Sequence, residues 1–348
     1  MDERTDRLNK ELLALLREHL DEADLAFDGQ PTKLTGGFWA ELLSFKVKPA
    51  PDDWNRALVA RVMPDAGIAA KEGAFQLETA SQGYPTPMVR LQRGPEAGID
   101  GRAVMVMDLA DGAPLLAGLD GVAAIVKLPS LARRLPVVLA DVLAQLHRLD
   151  AGPLVQRLAA GDAPRPDVDG ILRSLRSTAE VLERPALAAC TAWLADHRPA
   201  TDSDVICHGD LHPFNVLVAD GDELTVLDWS AAVIAPRAYD VGFTSLMLAE
   251  PPLMVPPFLR PVIRRVGKAL STRFIRQYEA RAGVRVDADV LAWYQGLICV
   301  RALTEVAGWA AAGTLVGREG HPWVINEGAL IERLAQLTGI TVLTEPRP

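Results

Sequence analysis

The sequence predicts an α+β protein with two lobes, a mixed α/β amino-terminal lobe and a mainly helical carboxyl-terminal lobe. Three observations favour this class. The chain has 348 residues, enough for two lobes with separate cores. Short apolar runs typical of strands occur up to residue 109, and long patterns with helical spacing follow. A glycine-containing turn over 108–112 separates the two patterns.

Composition and charge narrow the functional classes. The hydrophobic fraction of 49% and the charged fraction of 23% are ordinary for a globular enzyme. The net charge of −9, without a run of Lys or Arg, disfavours a nucleic-acid partner. Three widely spaced cysteines predict no disulfide framework and favour the cytoplasm. Prolines break the apolar segment 241–259, so we expect no membrane-spanning segment and no membrane partner.

In the amino-terminal lobe, the first predicted element is an amphipathic helix. Its apolar face consists of leucines at helical spacing, namely Leu8, Leu12, Leu15, Leu16 and Leu20. The helix is acid-rich and lacks the basic face of a membrane-surface helix. Gly36 and Gly37 then precede a predicted strand over 42–47. Such glycines let backbone amides approach a phosphate, although the spacing departs from G-x-G-x-x-G and Phe38 and Trp39 are bulky.

The remaining elements follow from apolar periodicity. Strands are predicted over 57–62 and 103–109, with a helix near 69–81 between them. A connector rich in Pro, Gly and Asp covers 151–169. The predicted helices of the carboxyl-terminal lobe cover 137–149, 171–197, 261–282, 288–312 and 326–337.

The most informative stretch is a polar loop between two short apolar runs, 205–207 and 216–218. The runs predict a tight hairpin that presents the loop side chains. Asp210 and Asn215 keep the spacing of the protein-kinase catalytic loop H-R-D-x-x-x-x-N, with Gly209 in place of Arg. After the apolar run 224–227, Asp228 stands where a kinase has the Asp of D-F-G.

These residue types suit phosphoryl transfer. The reaction needs a carboxylate that orients or deprotonates the attacking hydroxyl, and oxygen ligands for Mg²⁺. Asp210 suits the first role, and Asn215 and Asp228 suit the second. A zinc site of a hydrolase, formed by His208, Asp210 and His212, is an alternative. Gly209 and Pro213 argue against the helix that would bring the two imidazoles together.

The segment 208–215, His-Gly-Asp-Leu-His-Pro-Phe-Asn, and the later Leu227-Asp228-Trp229 resemble the aminoglycoside phosphotransferase/choline kinase superfamily, which has the two-lobed protein-kinase-like fold. The resemblance implies Mg²⁺-dependent transfer of a γ-phosphate from ATP, with GTP not excluded, to a hydroxyl of a small molecule. Protein substrates are disfavoured, because no Lys follows Asp210 in the loop and no A-P-E segment follows Asp228. A noncatalytic nucleotide-binding module of the same fold is the alternative.

The resemblance also implies roles for individual residues. Arg61 takes the place of the kinase Lys that contacts phosphates, and Glu72 is its ion-pair partner. The residues expected to contact the nucleotide are Gly36, Gly37, Arg61, Glu72, Met107 and Leu109, the last two through the backbone of the lobe connection. The resemblance places this connection at the turn over 108–112, and so divides the chain into residues 1–110 and 111–348. His147 is expected to be structural. His208 and Asp240 are expected to support the catalytic loop without contacting the reactants.

The charge distribution suggests a class of acceptor. Residues 241–348, expected to frame the acceptor site, contain twelve Arg and Lys and nine Asp and Glu. A polycationic aminoglycoside needs paired carboxylates, so we expect a neutral, amphipathic or anionic acceptor. The side chains expected at this site are Leu246, Met247, Leu248, Leu253, Met254, Val255, Phe258, Arg260, Arg264 and Arg265.

Overall fold

The structure is a computed structural model that describes residues 3–34, 40–117, 121–161, 165–201, 203–254 and 256–344, without the side chains of 121–129, 131 and 257. The helices are α1 (Glu3–Leu20), α2 (Ala66–Ser81), α3 (Gly121–Leu146), α4 (Gly152–Ala160), α5 (Val168–Val181), α6 (Pro185–Asp196), α7 (Ala238–Ala249), α8 (Arg260–Ala282), α9 (Ala288–Ala311) and α10 (Pro322–Thr338). The strands are β1 (Ala26–Phe27), β2 (Thr32–Leu34), β3 (Glu41–Phe45), β4 (Val47–Lys48), β5 (Leu58–Met63), β6 (Val89–Arg93), β7 (Ala103–Asp108), β8 (Ala113–Pro114), β9 (Asp204–Cys207), β10 (Val216–Val218), β11 (Leu224–Val226) and β12 (Val233–Pro236).

The chain divides into two compact units that are not continuous in sequence. The first unit comprises Met1–Leu115, Gly152–Pro164 and Phe214–Ala232. The second comprises Leu116–Ala151, Arg165–Pro213 and Val233–Pro348. The first break lies close to the boundary predicted near residue 110. The prediction divided the chain at one point, so it did not include the later segments, 152–164 and 214–232, that return to the first unit.

The first unit is built on a five-stranded antiparallel sheet of order β2-β3-β5-β7-β6. Alternate residues of β5 face opposite sides, as the period of two requires. Leu58, Ala60 and Val62 belong to the core on the side of α1, where the predicted amphipathic helix buries Leu8, Leu12 and Leu16. Met63 belongs to the smaller core on the side of α2, together with Ala69 of that helix. Arg61 therefore points toward α2.

The polar loop does not lie in a hairpin, so that prediction is wrong. β9 pairs antiparallel with β12, and Cys207 lies opposite Val233. β10 instead pairs with β11, with Val216 opposite Val226, and with β8. Both apolar runs are strands, but each is buried in a different sheet and a different unit. Apolar sequence predicts a buried strand without identifying its partner.

The second unit is a helical core around α9. The buried residues come from α5, α6, α7, α9 and α10, together with β9 and β12. Within the described residues, α9 is long and apolar enough to cross a membrane by length and composition alone, and most of it is buried in this core. Every residue of α7 is buried, including Leu246, Met247 and Leu248. These three were expected at the acceptor site but are packed in the interior.

The predicted connector over 151–169 contains a helix that the sequence analysis missed. α4 belongs to the first unit, where it lies against α2. Arg157 of α4 contacts the nearly buried Glu78 of α2 at 3.2 Å. Leu154 and Leu158 are the buried positions of this short helix. Two apolar residues four positions apart are too weak a pattern to predict a helix among glycines and prolines.

Candidate functional site

In the first unit, Arg61 and Glu72 form the ion pair that the sequence predicts. Arg61 Nη1 lies 2.6 Å from Glu72 Oε1, and the Glu72 side chain is fully buried. Asp65 caps the amino terminus of α2 by accepting a hydrogen bond from the Ile68 amide, and this fixes the start of the helix that carries Glu72. A buried carboxylate needs such a partner, because desolvation disfavours its charged form.

Burial raises the pKa of Glu72 to about 7, although Arg61 acts to lower it. Asp228 raises this pKa further, and a hydrogen bond from the backbone of Trp229 opposes the rise. Arg61 Nη2 lies 3.8 Å from Asp228 Oδ1. One guanidinium is therefore shared by a carboxylate from α2 and a carboxylate that follows β11.

Asp228 is held in an unusual backbone conformation. Its φ is +66°, in the left-handed region that non-glycine residues rarely adopt. The next residue, Trp229, is fully buried, and its indole N–H donates to Thr86 Oγ1 at 2.9 Å. The Leu227 amide donates to the Asn215 carbonyl at 2.9 Å. Strain of this kind persists only where the surroundings impose it, and here the buried Trp229 and the hydrogen-bonded Leu227 amide hold the two neighbours of Asp228.

The hairpin of β10 and β11 brings Asn215 and Asp228 to the same end. Val216 and Val226 are directly opposite, so the residues just outside them, Asn215 and Leu227, are also neighbours. An amide oxygen and a carboxylate are ligands that Mg²⁺ accepts. The Asp228 side chain is 39% exposed and so remains accessible to a ligand. The donor set of this hairpin therefore suits a hard cation.

In the second unit, Asp240 holds the loop between β9 and β10, which contains Asp210. The amides of His208 and Gly209 donate to its two carboxylate oxygens at 2.8 and 2.7 Å. Asp240 lies in the first turn of α7 and is fully buried. Gly209 has a φ of +76°, a conformation that glycine adopts without strain. This explains why glycine occupies the position of the kinase Arg.

His147, which directly follows α3, connects Asp240 to Tyr278 of α8. Its Nε2 lies 3.1 Å from Asp240 Oδ2, and its Nδ1 lies 2.7 Å from the Tyr278 hydroxyl. His147, Asp240 and Cys207 each place one potential ligand atom within 4.8 Å of the others. Burial raises the pKa of the Cys207 thiol well above its usual value, and the thiol donates to the Ala235 carbonyl. The cluster is thus a network of satisfied hydrogen bonds, and His147 has its expected structural role.

Arg301 also contacts the loop, and the sequence analysis missed it. Its Nη1 donates to the Gly209 carbonyl at 3.0 Å and lies 3.4 Å from the Tyr239 hydroxyl. Burial lowers the pKa of Arg301, but Tyr239, Glu305 and Asp210 raise it by more. Asp240 and Arg301 therefore hold both the amide and the carbonyl of Gly209. No local signal marks Arg301, because it lies 92 residues from its partner in a mostly apolar helix.

The histidines of the loop do not form the alternative zinc site. His208 is fully buried, and its Nδ1 accepts a hydrogen bond from the Asp210 amide at 3.3 Å. His212 Nε2 lies 3.8 Å from Asp210 Oδ2. The segment between β9 and β10 is a loop, so the helical spacing that would join the two imidazoles is absent there. The carboxylate of Asp210 is partly exposed, as a group that meets a substrate must be.

Two sets of predicted nucleotide contacts have different outcomes. Gly36 and Gly37 lie outside the described residues. Met107 and Leu109 lie at the end of β7, but the Leu109 amide donates to the Ala57 carbonyl at 2.9 Å. That amide is therefore engaged within the protein.

Gly112, with a φ of +100°, allows the chain to pass close to Val218. A Cβ on Gly112 would lie 2.5 Å from the Val218 carbonyl oxygen.

Comparison with known proteins identifies the family. Residues 51–294 match the model of the APH family, described as a phosphotransferase enzyme family. A search of curated proteins found no match.

Solved structures agree with this family. A protein from Ralstonia eutropha with a proposed assignment as an aminoglycoside phosphotransferase is 18% identical, with a TM-score of 0.68 and coverage of 95% of this chain and 98% of that one. A thermostable aminoglycoside phosphotransferase mutant in complex with ADP and hygromycin B is 17% identical, with a TM-score of 0.57 and coverages of 93% and 98%. Plasmodium vivax ethanolamine kinase is 13% identical, with a TM-score of 0.58 and coverages of 95% and 90%.

At these identities the solved structures establish the fold, and the family match establishes the kind of chemistry. The predicted two-lobed protein-kinase-like fold and the resemblance to this superfamily are both confirmed. The chain therefore belongs to the APH phosphotransferase family, whose reaction is ATP-dependent phosphoryl transfer to the hydroxyl of a small molecule.

Proposed function

We propose that the protein is a Mg²⁺-dependent small-molecule kinase in which Asp210 orients and deprotonates the acceptor hydroxyl. The observation that carries this proposal is the double support of the loop that ends in Asp210. Asp240 accepts hydrogen bonds from the two preceding amides, and Arg301 donates to the Gly209 carbonyl. A proton acceptor contributes to the rate only when it is held in place. Asp240 and Arg301 hold the backbone that precedes Asp210.

We further propose that Asn215 and Asp228 hold Mg²⁺ and that Arg61 contacts a phosphate of ATP. The metal would neutralise charge on the phosphates. The Arg61 guanidinium has two carboxylate neighbours, Glu72 and Asp228. Its planar guanidinium offers several donors, so it can keep Glu72 and still contact an anion. The free and buried cysteines support a cytoplasmic location.

Replacement of Arg61 should weaken nucleotide binding. Arg61→Ala removes a charge-assisted hydrogen bond worth about 1.5–3 kcal/mol, so we expect the KM for ATP to rise by roughly 10- to 100-fold. The melting temperature should also fall, because Glu72 loses its partner. Arg61→Lys is the matched control, since it keeps the charge and should show a smaller rise. An unchanged KM in the folded Arg61→Ala protein would make Arg61 purely structural.

For the acceptor, we propose a neutral, amphipathic or anionic molecule. Most carboxylates of the carboxyl-terminal segment already have partners in the structure. Glu250 and Glu332 contact Arg264, and Glu305 accepts from the Trp323 indole. Arg301 is a cation in contact with the loop through the Gly209 carbonyl, and the charge of Asp210 raises its pKa. A polycationic acceptor would have to compete for these carboxylates, whereas an anionic or neutral one would not.

The experiment is a screen of ADP release with Mg-ATP and hydroxyl-bearing compounds. Kanamycin-type aminoglycosides and hygromycin B should be poor acceptors beside neutral and acidic hydroxyl compounds. Saturable turnover of an aminoglycoside at micromolar KM would overturn the acceptor proposal. A thermal shift with Mg-ATP, but no turnover with any acceptor and no slow ATP hydrolysis, would instead indicate the noncatalytic nucleotide-binding module.

A further inference from the structure

Helix α8 in the second unit presents apolar side chains to solvent. Phe258, just before the helix, and Val262 and Val266 within it are spaced four residues apart, so they lie along one side. Their side chains are 76%, 59% and 46% exposed. Leu253 and Met254 in the preceding segment are also exposed. Adjacent exposed apolar residues of this size mark an interaction surface more often than scattered single ones do.

The exposed side of the same helix is strongly basic. Its charged residues are Arg265, Lys268, Arg273 and Arg276. Within the described part of the chain, none of these four takes part in an ion pair, and no acidic residue of α8 is exposed. Glu279, the acid of this helix, is bound to Arg285 and to the Val286 amide. We call Phe258, Val262, Val266 and these four cations the α8 face.

The other side of α8 is fixed in the interior. Gly267, Ser271, Phe274 and Tyr278 are buried, and the helix packs against α3 and α7. A Cβ on Gly267 would lie 2.6 Å from backbone oxygens of α7. The α8 face is therefore the outer surface of a firmly packed helix. Its exposure follows from the fold of the second unit.

A surface depression adjoins the basic residues. It has a volume of about 410 Å³ and is lined by Pro261, Arg264, Arg265, Lys268 and Glu332. Glu332 is already bound to Arg264, which Glu250 also contacts. Arg265 and Lys268 therefore remain as donors toward this depression. It suits an anionic group small enough to enter between them.

We propose that the α8 face docks the protein reversibly on an anionic lipid surface. The apolar side chains would enter the boundary between headgroups and acyl chains, and the cations would contact the headgroups. Charge complementarity selects this occupant, since the face carries four cations without an ion-pair partner on a protein whose net charge is −9. A second copy is disfavoured, because a two-fold contact would bring identical cations together. The expectation of no membrane partner rested on α1, which lacks a basic face, and on spanning segments, and α8 differs from both.

Vesicle sedimentation of the full chain tests the proposal. We expect the protein to bind vesicles containing phosphatidylglycerol and not vesicles of phosphatidylcholine alone, and added salt should release it. Each lost cation should weaken partitioning by about fivefold, so Arg265→Ser with Lys268→Ser should weaken it by about 25-fold. Phe258→Ser should also weaken binding, but without changing the salt dependence.

The matched control is Lys10→Ser with Arg173→Ser, which removes the same charge from exposed positions on α1 and α5. This variant should sediment like the wild type. Failure of the wild type to bind anionic vesicles at low salt would overturn the proposal, as would equal losses in the α8 and control variants. Binding to polyglutamate without binding to anionic vesicles would also overturn it and would indicate an acidic protein partner. None of these readouts depends on the acceptor or on kinase activity.

Discussion

Asp210→Asn is expected to lower kcat by about 10²- to 10⁴-fold while leaving nucleotide affinity close to that of the wild type. The substitution keeps the size of the side chain and removes its ability to accept a proton. The loop should stay in place, because its support comes from Asp240, Arg301 and the buried His208. The measurement is steady-state turnover with the best acceptor, alongside a thermal titration with Mg-ATP.

The control for this prediction is Asp220→Asn, which changes an exposed carboxylate in the turn between β10 and β11. Its kcat should equal that of the wild type. Turnover of Asp210→Asn within twofold of the wild type would show that another group accepts the proton. A loss of nucleotide affinity that matches the loss of kcat would instead show that the substitution disturbs the site as a whole.

Asp228→Ala is expected to abolish Mg²⁺-dependent turnover, because the site loses both a negative charge and an oxygen ligand. Asn215→Ala should have a smaller effect, since water can replace a neutral amide ligand in part. The measurement is turnover as a function of Mg²⁺ concentration. A larger amount of Mg²⁺ should partly restore Asn215→Ala and should not restore Asp228→Ala.

A second substitution distinguishes the effect of losing the Asp228 carboxylate from the effect of straining the backbone at this position. With a φ of +66°, this position strains an alanine, whereas Asn tolerates the left-handed region better than most residues do. Asp228→Asn should therefore keep the wild-type melting temperature and still lose most of its activity. Wild-type turnover of this variant at ordinary Mg²⁺ levels would show that Asp228 is not a metal ligand.

The sequence was informative where periodicity or a dense motif was present. The leucines of α1, the short apolar run of β5 and the long apolar α9 each predict their element, because burial requires apolar residues at these positions. The pairing of Arg61 with Glu72 was implied by the resemblance to the kinase-like superfamily, and the structure contains this ion pair. These features depend on residues that are near in sequence or on a pattern shared with a family.

Features that depend on distant partners could not be predicted. β9 and β10 look alike as sequences, and only the fold assigns one to β12 and the other to β11. Arg301 is one arginine in an apolar helix, and its contact with Gly209 joins residues 92 positions apart. Leu246, Met247 and Leu248 were expected to contact an acceptor, but they lie in α7, which is buried throughout. A segment that lines an acceptor site and a segment buried in the core can be equally apolar in sequence. Composition does not distinguish a ligand-lining segment from a core segment.

The division of the chain into units constrains how related enzymes can be recombined. The polypeptide passes from one unit to the other five times. Thr86 of the amino-terminal segment contacts the Val226 carbonyl and the Trp229 indole, so the first unit needs residues far along the chain for its completion. A chimera that exchanges the first unit between two relatives must carry residues 1–115, 152–164 and 214–232 together. The supposed metal ligands Asn215 and Asp228 would travel with that unit, while Asp210 would remain with the other.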